Sequence, residues 1–188
     1  ASKTEQEGMG ATCACAWIVD HSLYISHVGD SRIYLVRGMQ IRRLTVDHTW
    51  VQEAIEKGII SPEQAREHPN VHVIRRYLGS VHLPEVDFRM YLEDGEDEEE
   101  ALGNQGYEME PGDVLLLCSD GLTDLVWDDE ILQIMRSKSS VRAAAEALVD
   151  TANQRGGHDN ITVVLIAVPR SSKPNKKKGF LDWLFGEE

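Results

Sequence analysis

The sequence predicts a layered α+β domain in which helices pack against antiparallel sheets. Three observations support this class. Residues 13–44 form four short apolar or alternating runs separated by tight turns, as in consecutive strands. Helical periodicity follows in residues 50–55 and again in residues 141–152. Two further runs, residues 114–118 and 161–168, are apolar throughout, which is typical of buried strands.

Composition narrows the class of protein. A chain of 188 residues that is 41% hydrophobic can bury the core of one domain. The net charge of −13 argues against nucleic acid as a partner, because nothing would offset repulsion by phosphates. No apolar run approaches the roughly 20 residues of a membrane span, and residues 1–10 do not resemble a signal peptide. Three cysteines (Cys13, Cys15 and Cys118) lie in apolar runs, so we expect buried thiols and a cytoplasmic location.

The first half of the chain reads as strands followed by two helices. The four runs within residues 13–44 have short connections and predict an antiparallel meander. A helix follows around Trp50 and should end at Gly58, which suits a C-terminal cap. Ser61-Pro62-Glu63-Gln64 has the pattern of a capping box with proline at the first helical position, so it predicts the start of a second helix.

The second half alternates strands with amphipathic helices. We expect strands at residues 84–92, 114–118 and 161–168, and a solvated acidic loop at residues 93–100. One helix should be capped by Asp128 or Asp129, and a longer one should start at Ser139 or Ser140. Residues 171–188 predict a basic linker and a short aromatic tail outside the domain.

Four aspartates carry the candidate chemistry. Each follows a strand-like run or lies beside glycine or asparagine: Asp30, Asp120, Asp124 and Asp159. Carboxylates on rigid strand ends suit Mg²⁺ or Mn²⁺, which take oxygen ligands. Cys/His zinc spacing, a phosphate-binding glycine loop and a Gly-x-Ser-x-Gly elbow are all missing from the sequence. On chemistry alone, a metal site and four unrelated turn aspartates are equally supported.

Six short motifs in one order provide a resemblance. They are Gly10-Ala11-Thr12, Gly29-Asp30-Ser31-Arg32, Leu44-Thr45-Val46-Asp47-His48, residues 74–79, residues 118–124 and Asp159-Asn160-Ile161-Thr162. This series resembles the C-terminal two-thirds of the metal-dependent protein phosphatases of type 2C, and their compact bacterial members most of all. Each motif alone is weak evidence, whereas six in family order are strong evidence.

The resemblance implies an architecture. It predicts a four-layer α-β-β-α sandwich of antiparallel sheets, here without the family's N-terminal strands. The domain would cover residues 1–170, with a mobile flap at residues 45–80 and the acidic loop at residues 93–104. We use the word flap for residues 45–80 throughout.

The resemblance also implies metals and a reaction. Asp120 and Asp159 match the aspartates that hold a catalytic metal, and Gly121 belongs to the same metal-binding turn. Asp30 and Asp124, with Asp120, match a weaker third site near the flap. The expected cofactors are two Mg²⁺ or Mn²⁺ ions, with a third at that weaker site. The expected reaction is hydrolysis of phosphoserine or phosphothreonine by a metal-bridging hydroxide.

Several basic residues are candidates for contact with substrate through the flap: Arg32, His48, Arg75 and Arg76. Alternatives remain for two of them. His48 also suits a solvent-exposed histidine after a helix-capping Asp47. Arg32 suits phosphate binding and suits equally a structural tie to Asp30 or a nearby carboxylate.

Neither the family's Arg-x-x-Asn-Glu-Asp motif nor its Asp-Gly-x-Gly-Gly motif occurs before Gly8. The resemblance therefore leaves two hypotheses, a piece of a phosphatase or a non-catalytic phosphatase-like binding module. Expected partners are a phosphoprotein substrate, with a Ser/Thr kinase and its targets, and either an N-terminal fragment or a strand-exchanged second copy. Membrane contact is expected only through the tail.

Overall fold

The computed structural model describes residues 8–170, and the predicted linker and tail lie outside these residues. The fold is α+β with antiparallel sheets, as predicted. The elements in chain order are β1 (Cys13–Val19), β2 (Ser22–Val28), β3 (Arg32–Arg37), β4 (Gln40–Arg43), α1 (Trp50–Glu56), α2 (Pro62–Ala65), α3 (Glu98–Gly103), β5 (Tyr107–Glu108), β6 (Val114–Cys118), α4 (Asp120–Thr123), α5 (Asp128–Ser137), α6 (Val141–Gln154) and β7 (Val163–Ala167).

The strands form two sheets. One has the order β1-β2-β5 and the other has the order β4-β3-β6-β7, with antiparallel pairing in both. The predicted four-strand meander is therefore wrong in one respect, because β2 and β3 belong to different sheets. The chain crosses between the sheets at Gly29 and Asp30. Gly29 has φ +111°, and a Cβ there would lie 2.4 Å from the Thr12 side chain, so only glycine fits this crossing.

Two apolar clusters cover the two faces of the larger sheet. The cluster between the sheets includes Leu23, Ile33 and Leu115, which are fully buried. The cluster beneath α5 and α6 includes Leu116 and Leu148. Neighbouring residues of β6 thus face opposite clusters, which explains the continuous apolar run that predicted burial on both faces.

The described residues supply three layers of the expected four: two sheets and the helices α5 and α6. The outer face of β1 carries exposed side chains, among them Trp17 at 69%. Cys13 and Cys15 lie on this exposed face, so the prediction of three buried thiols is correct for Cys118 alone. Among residues 8–170, no helix has the length and apolar character needed to cross a membrane.

The flap contains α1 and α2 and is attached at its base. Thr49 caps α1 and also forms a β-bridge with Ile74, while Leu78 pairs with Ala11 of the sheet region. The capping box predicted at Ser61 is confirmed at the start of α2. The first bridge therefore closes the base of the flap on itself, and the second attaches the C-terminal end of the flap to the domain.

Three local predictions needed correction or refinement. Residues 84–92 do not form a strand and contribute a single bridge between Asp87 and His27, because most of this segment pairs with no neighbouring strand. The acidic segment is partly helical, since Asp97 and Glu100 build a capping box that starts α3. The N-cap of α5 is Trp127 rather than an aspartate.

Candidate metal centre

Three of the four predicted aspartates line one cleft between the flap and the α4 turn. The cleft has a volume of about 890 Å³, and we call it the aspartate cleft. Asp30 lies where the chain crosses between sheets, and Asp120 begins α4 directly after β6. Asp124 caps the C-terminus of α4, one helical turn beyond Asp120. The sheets and this turn bring Asp30, Asp120 and Asp124 to a common space.

Asp159 lies in the loop that packs against the same turn. The Ser119 amide donates to the Thr162 carbonyl (3.1 Å), and the Ser119 hydroxyl donates to the Asn160 carbonyl (2.9 Å). A Cβ at Gly121 would lie 2.5 Å from that Asn160 oxygen, so the close approach requires glycine. The Asp159 carboxylate is exposed, accepts from the Asn160 amide (2.6 Å) and does not line the aspartate cleft.

Two carboxylates of the aspartate cleft, Asp30 and Asp120, are not in ion-pair contact with a lysine or arginine of residues 8–170. Asp30 is 8% exposed, and burial together with the nearby Asp120 raises its pKa to about 6. Burial and Asp120 also raise the pKa of Asp124. Oxygen ligands without a cationic partner fit a hard divalent cation.

The free-energy cost of ionising the buried Asp30 side chain leads to a testable prediction. Asp30→Asn is expected to raise the free energy of unfolding of the metal-free protein by about 1–3 kcal/mol near pH 7.5. Because the folded pKa is raised, the cost of ionising Asp30 is fully present above pH 6 and absent below its unfolded value. Denaturant unfolding near pH 7.5 and near pH 4 measures the difference.

The control for this prediction is Asp150→Asn, which changes an exposed aspartate of α6. It should leave stability unchanged at both pH values. Equal effects of the two variants, or a gain from Asp30→Asn that persists near pH 4, would contradict the electrostatic origin of the free-energy cost at Asp30.

Arg32 is a structural residue. Its guanidinium donates to both oxygens of Asp47, at 3.0 and 2.6 Å, and to the Tyr34 hydroxyl at 3.2 Å. Burial opposes ionisation of Asp47, but the charge and hydrogen bonds of Arg32 outweigh it and lower the Asp47 pKa. Of the two alternatives, this geometry favours a tie to a nearby carboxylate, which is Asp47 rather than Asp30.

His48 is buried at 7% exposure, so the prediction of a solvent-exposed histidine is wrong. The Gly29 amide donates to its Nδ1 (3.0 Å), which leaves Nε2–H to donate to Asp87 (3.1 Å). Its ring stacks on His27, with centroids 4.5 Å apart. Both nitrogens of His48 are therefore occupied and neither faces substrate.

The buried group of His27, His48 and Asp87 is compact enough to hold a metal ion, with ligand atoms within 4.8 Å of one another. The tautomer of His48 excludes this, because Nε2 carries the proton and has no lone pair to offer. The group instead joins Gly29 to the base of the flap. No sequence signal had singled out His27 or Asp87.

Arg75 and Arg76 lie outside the aspartate cleft. Arg75 approaches Glu53 (3.6 Å), and Arg76 donates to the Glu85 carbonyl (3.4 Å). The flap residues that do line the aspartate cleft include Arg66 and His72, which the sequence motifs had not indicated. The His72 Nδ1 lies 3.5 Å from an Asp124 carboxylate oxygen. Only the folded flap distinguishes these residues from other surface cations.

Comparison with known families supports what this geometry indicates. The family model described as Protein phosphatase 2C matches residues 1–56, and the model for Stage II sporulation protein E (SpoIIE) matches residues 66–169, more than half of the chain. The chain belongs to the bacterial PP2C-type phosphatase family. The predicted family and the α+β fold are therefore confirmed.

Individual PP2C-type proteins show the extent of the likeness. Protein phosphatase PhpP of Streptococcus pneumoniae is 37% identical over 161 residues, which are 86% of this chain and 59% of PhpP. The S. agalactiae serine/threonine phosphatase has a TM-score of 0.76 and 32% identity, covering 88% of this chain and 62% of its own. The chain thus spans less than two-thirds of these relatives.

A third similar structure concerns metal. It is the catalytic domain of the serine threonine protein phosphatase PstP in complex with two manganese ions, with a TM-score of 0.68 and 35% identity. The similarity covers 87% of this chain and 60% of PstP. The two manganese ions are thus a property of this similar phosphatase domain.

Proposed function

We propose that this chain takes part in metal-dependent hydrolysis of phosphoserine and phosphothreonine in proteins. The observation that carries the proposal is the aspartate cleft, where the buried Asp30 and its neighbour Asp120 form no ion pair with a lysine or arginine of residues 8–170. The names of the relatives, which are protein phosphatases and serine/threonine phosphatases, support the same substrate class.

The residues of the α4 turn and its neighbouring loop are assigned to the metals. Asp120 and Asp159, with the Gly121 turn, would hold the catalytic ion, while Asp30 and Asp124 would hold a further ion beside the flap. Bound Mg²⁺ or Mn²⁺ supplies an activated water and neutralises charge on the phosphoryl oxygens. We propose two such ions, with a third at the weaker site.

The chain's own residues hold these ligands in place. Asp120 is fixed by the end of β6, whose pairing with β3 and β7 leaves that strand little freedom. Gly121 allows the loop of Asp159 to pack against Asp120 from one side. The Arg32–Asp47 pair holds the start of the flap beside Asp30. The flap itself contributes residues that line the aspartate cleft, among them Arg66 and His72.

Several finer assignments belong to this proposal. We propose a domain at residues 1–170 with its flap at residues 45–80, and a cytoplasmic protein that opposes a Ser/Thr kinase. The geometry gives least support to His48, Arg75 and Arg76 as substrate contacts, since none of them lines the aspartate cleft.

The test is phosphate release from a phosphothreonine peptide by the protein with all sequence that its reading frame encodes on either side. Hydrolysis should rise with added Mn²⁺, cease in EDTA and return when Mn²⁺ is restored. Asp150→Ala, on the exposed face of α6, is the matched control and should retain full activity. Hydrolysis that persists unchanged in EDTA would contradict metal dependence.

A further inference from the structure

The outer arm of the flap, residues 57–72, makes few polar contacts across the aspartate cleft. Its base is held by the Trp50 amide, which donates to Val73 (2.9 Å), and by the Arg75 amide, which donates to His48 (2.7 Å). Within residues 8–170, the hydrogen bonds and ion pairs that cross the aspartate cleft from this arm come from Arg66 and His72. Both reach the segment that carries Asp124.

Arg66 makes two contacts at once. Its Cζ lies 3.4 Å from the centre of the Trp127 ring, so the guanidinium covers one face of the indole. Its Nη2 donates to the Thr123 carbonyl at 2.5 Å, immediately before Asp124. A planar guanidinium suits this combination, because it can stack on an aromatic ring and donate in its own plane at the same time.

The backbone at Trp127 is tied to the helices that follow it, while its side chain is 57% exposed. Its amide donates to Glu130 of α5 (3.1 Å), and Glu130 forms an ion pair with Arg155 (2.6 Å) after α6. Arg155 also donates to the Leu125 carbonyl (2.7 Å). The loop between α4 and α5 is thus tied to both packed helices, whereas the outer arm is supported mainly from within the flap, where His68 stacks on Trp50 with ring centroids 4.6 Å apart.

We propose that Arg66 and Trp127 form a latch that positions the flap over the aspartate cleft for protein substrates. This rests on the proposed function, because it assigns Arg66 a positioning role in that same site. The latch holds the outer arm closed, with His72 beside Asp124. In this proposal a phosphopeptide contacts both the flap and the α4 turn. When the latch has already ordered the outer arm, binding of the phosphopeptide loses less conformational entropy.

Hydrogen exchange followed by mass spectrometry tests the latch without any assay of activity. Arg66→Ala should speed amide exchange in residues 57–72 on the order of tenfold, because the arm loses its main polar contact with the domain. Exchange in β6 and α6 should not change. Trp127→Ala should reproduce the effect, and the double variant should add little to either single change.

Two variants separate the latch from general effects. Arg75→Ala removes another flap arginine whose partner, Glu53, is also in the flap, so exchange in residues 57–72 should remain as in the parent protein. Arg66→Lys keeps the charge but loses the planar stacking, so it should behave like Arg66→Ala rather than like the parent. Unchanged exchange in Arg66→Ala overturns the latch.

Steady-state kinetics test the positioning role. Arg66→Ala should raise KM for a phosphothreonine peptide about three- to tenfold without changing kcat. The same variant should leave KM for a small aryl phosphate unchanged. Faster exchange with an unchanged phosphopeptide KM overturns the role in substrate positioning. If every variant fails to hydrolyse phosphate esters, the proposed function fails, while the exchange data still decide whether the latch exists.

Discussion

Replacing Asp120 with alanine is expected to lower phosphate ester hydrolysis by about 10²–10⁴-fold. Asp120 begins α4 at the end of β6 and is the aspartate next to both Asp30 and the loop of Asp159. Its removal should release the catalytic ion that the proposed function places there, so the loss should appear with a small aryl phosphate as well as with a phosphopeptide. The measurement is initial rate against Mn²⁺ concentration with both substrates.

The other aspartates should divide by role in the same titration. Asp159→Ala should resemble Asp120→Ala. Asp30→Ala and Asp124→Ala should instead require more Mn²⁺ and lose turnover of the phosphopeptide more than of the aryl phosphate, since only the peptide is large enough to touch the flap. Asp150→Ala serves as the control. If Asp30→Ala and Asp159→Ala proved indistinguishable, this division would be wrong.

A melting curve checks the same assignment independently of rate. Under the proposed function, Mn²⁺ binds only the folded form and should therefore raise the Tm of the parent protein. Asp120→Asn should largely abolish that shift while it preserves the size of the side chain. A full Mn²⁺ response in this variant would remove Asp120 from the site.

Much of the fold could be predicted because local rules and burial agreed. The continuous apolar run of β6 indicated a strand buried on both faces, and Leu115 and Leu116 indeed face opposite clusters. Helix caps were accurate where the side chain itself forms the cap, as at Ser61 and Ser140. Such signals depend on a few neighbouring residues and are visible in sequence.

The predictions that were wrong concern features that depend on contacts between residues far apart in sequence. The strands before and after Gly29 looked like one meander, and only the pairing of β2 with β1 and of β3 with β6 shows that the chain changes sheets there. His48 looked exposed beside a charged Asp47, yet its burial follows from Asp87, 39 residues away. The contact of Arg66 with Trp127 likewise joins segments that have no sequence relation.

Asp87 provides the largest expected effect on stability. It is 5% exposed and accepts hydrogen bonds from the His48 ring and from Arg89, whose guanidinium binds it at 2.5–3.0 Å. Asp87→Ala is expected to lower the free energy of unfolding by about 3–5 kcal/mol, because it leaves a buried N–H and a half-buried cation without their acceptor. Asp94→Ala, at an exposed ion pair with Arg42, should cost no more than about 1 kcal/mol.

The pH dependence of stability identifies the group responsible. Burial opposes ionisation of Asp87, but hydrogen bonds from His48 and Arg89 outweigh it and hold its pKa well below the ordinary value. Its contribution is therefore present above the unfolded pKa of about 3.9 and is lost as pH falls below it. Burial lowers the pKa of His27, so His27 favours the neutral form and costs stability as pH falls below about 6.5.

On acidification, His27 should cost stability below about pH 6.5, partly offset by the relief of Asp30, and Asp87 and Asp47 should both cost stability below about pH 4. Asp87→Ala should keep the change near pH 6.5 and show a smaller loss below about pH 4, because the alanine side chain has no proton to bind. Chemical denaturation between about pH 8 and pH 3 measures the free energy of unfolding across both pH ranges. A variant as stable as the parent at neutral pH, or one whose loss of stability below about pH 4 equals that of the parent, would show that the Asp87 carboxylate does not hold the flap base to the sheets.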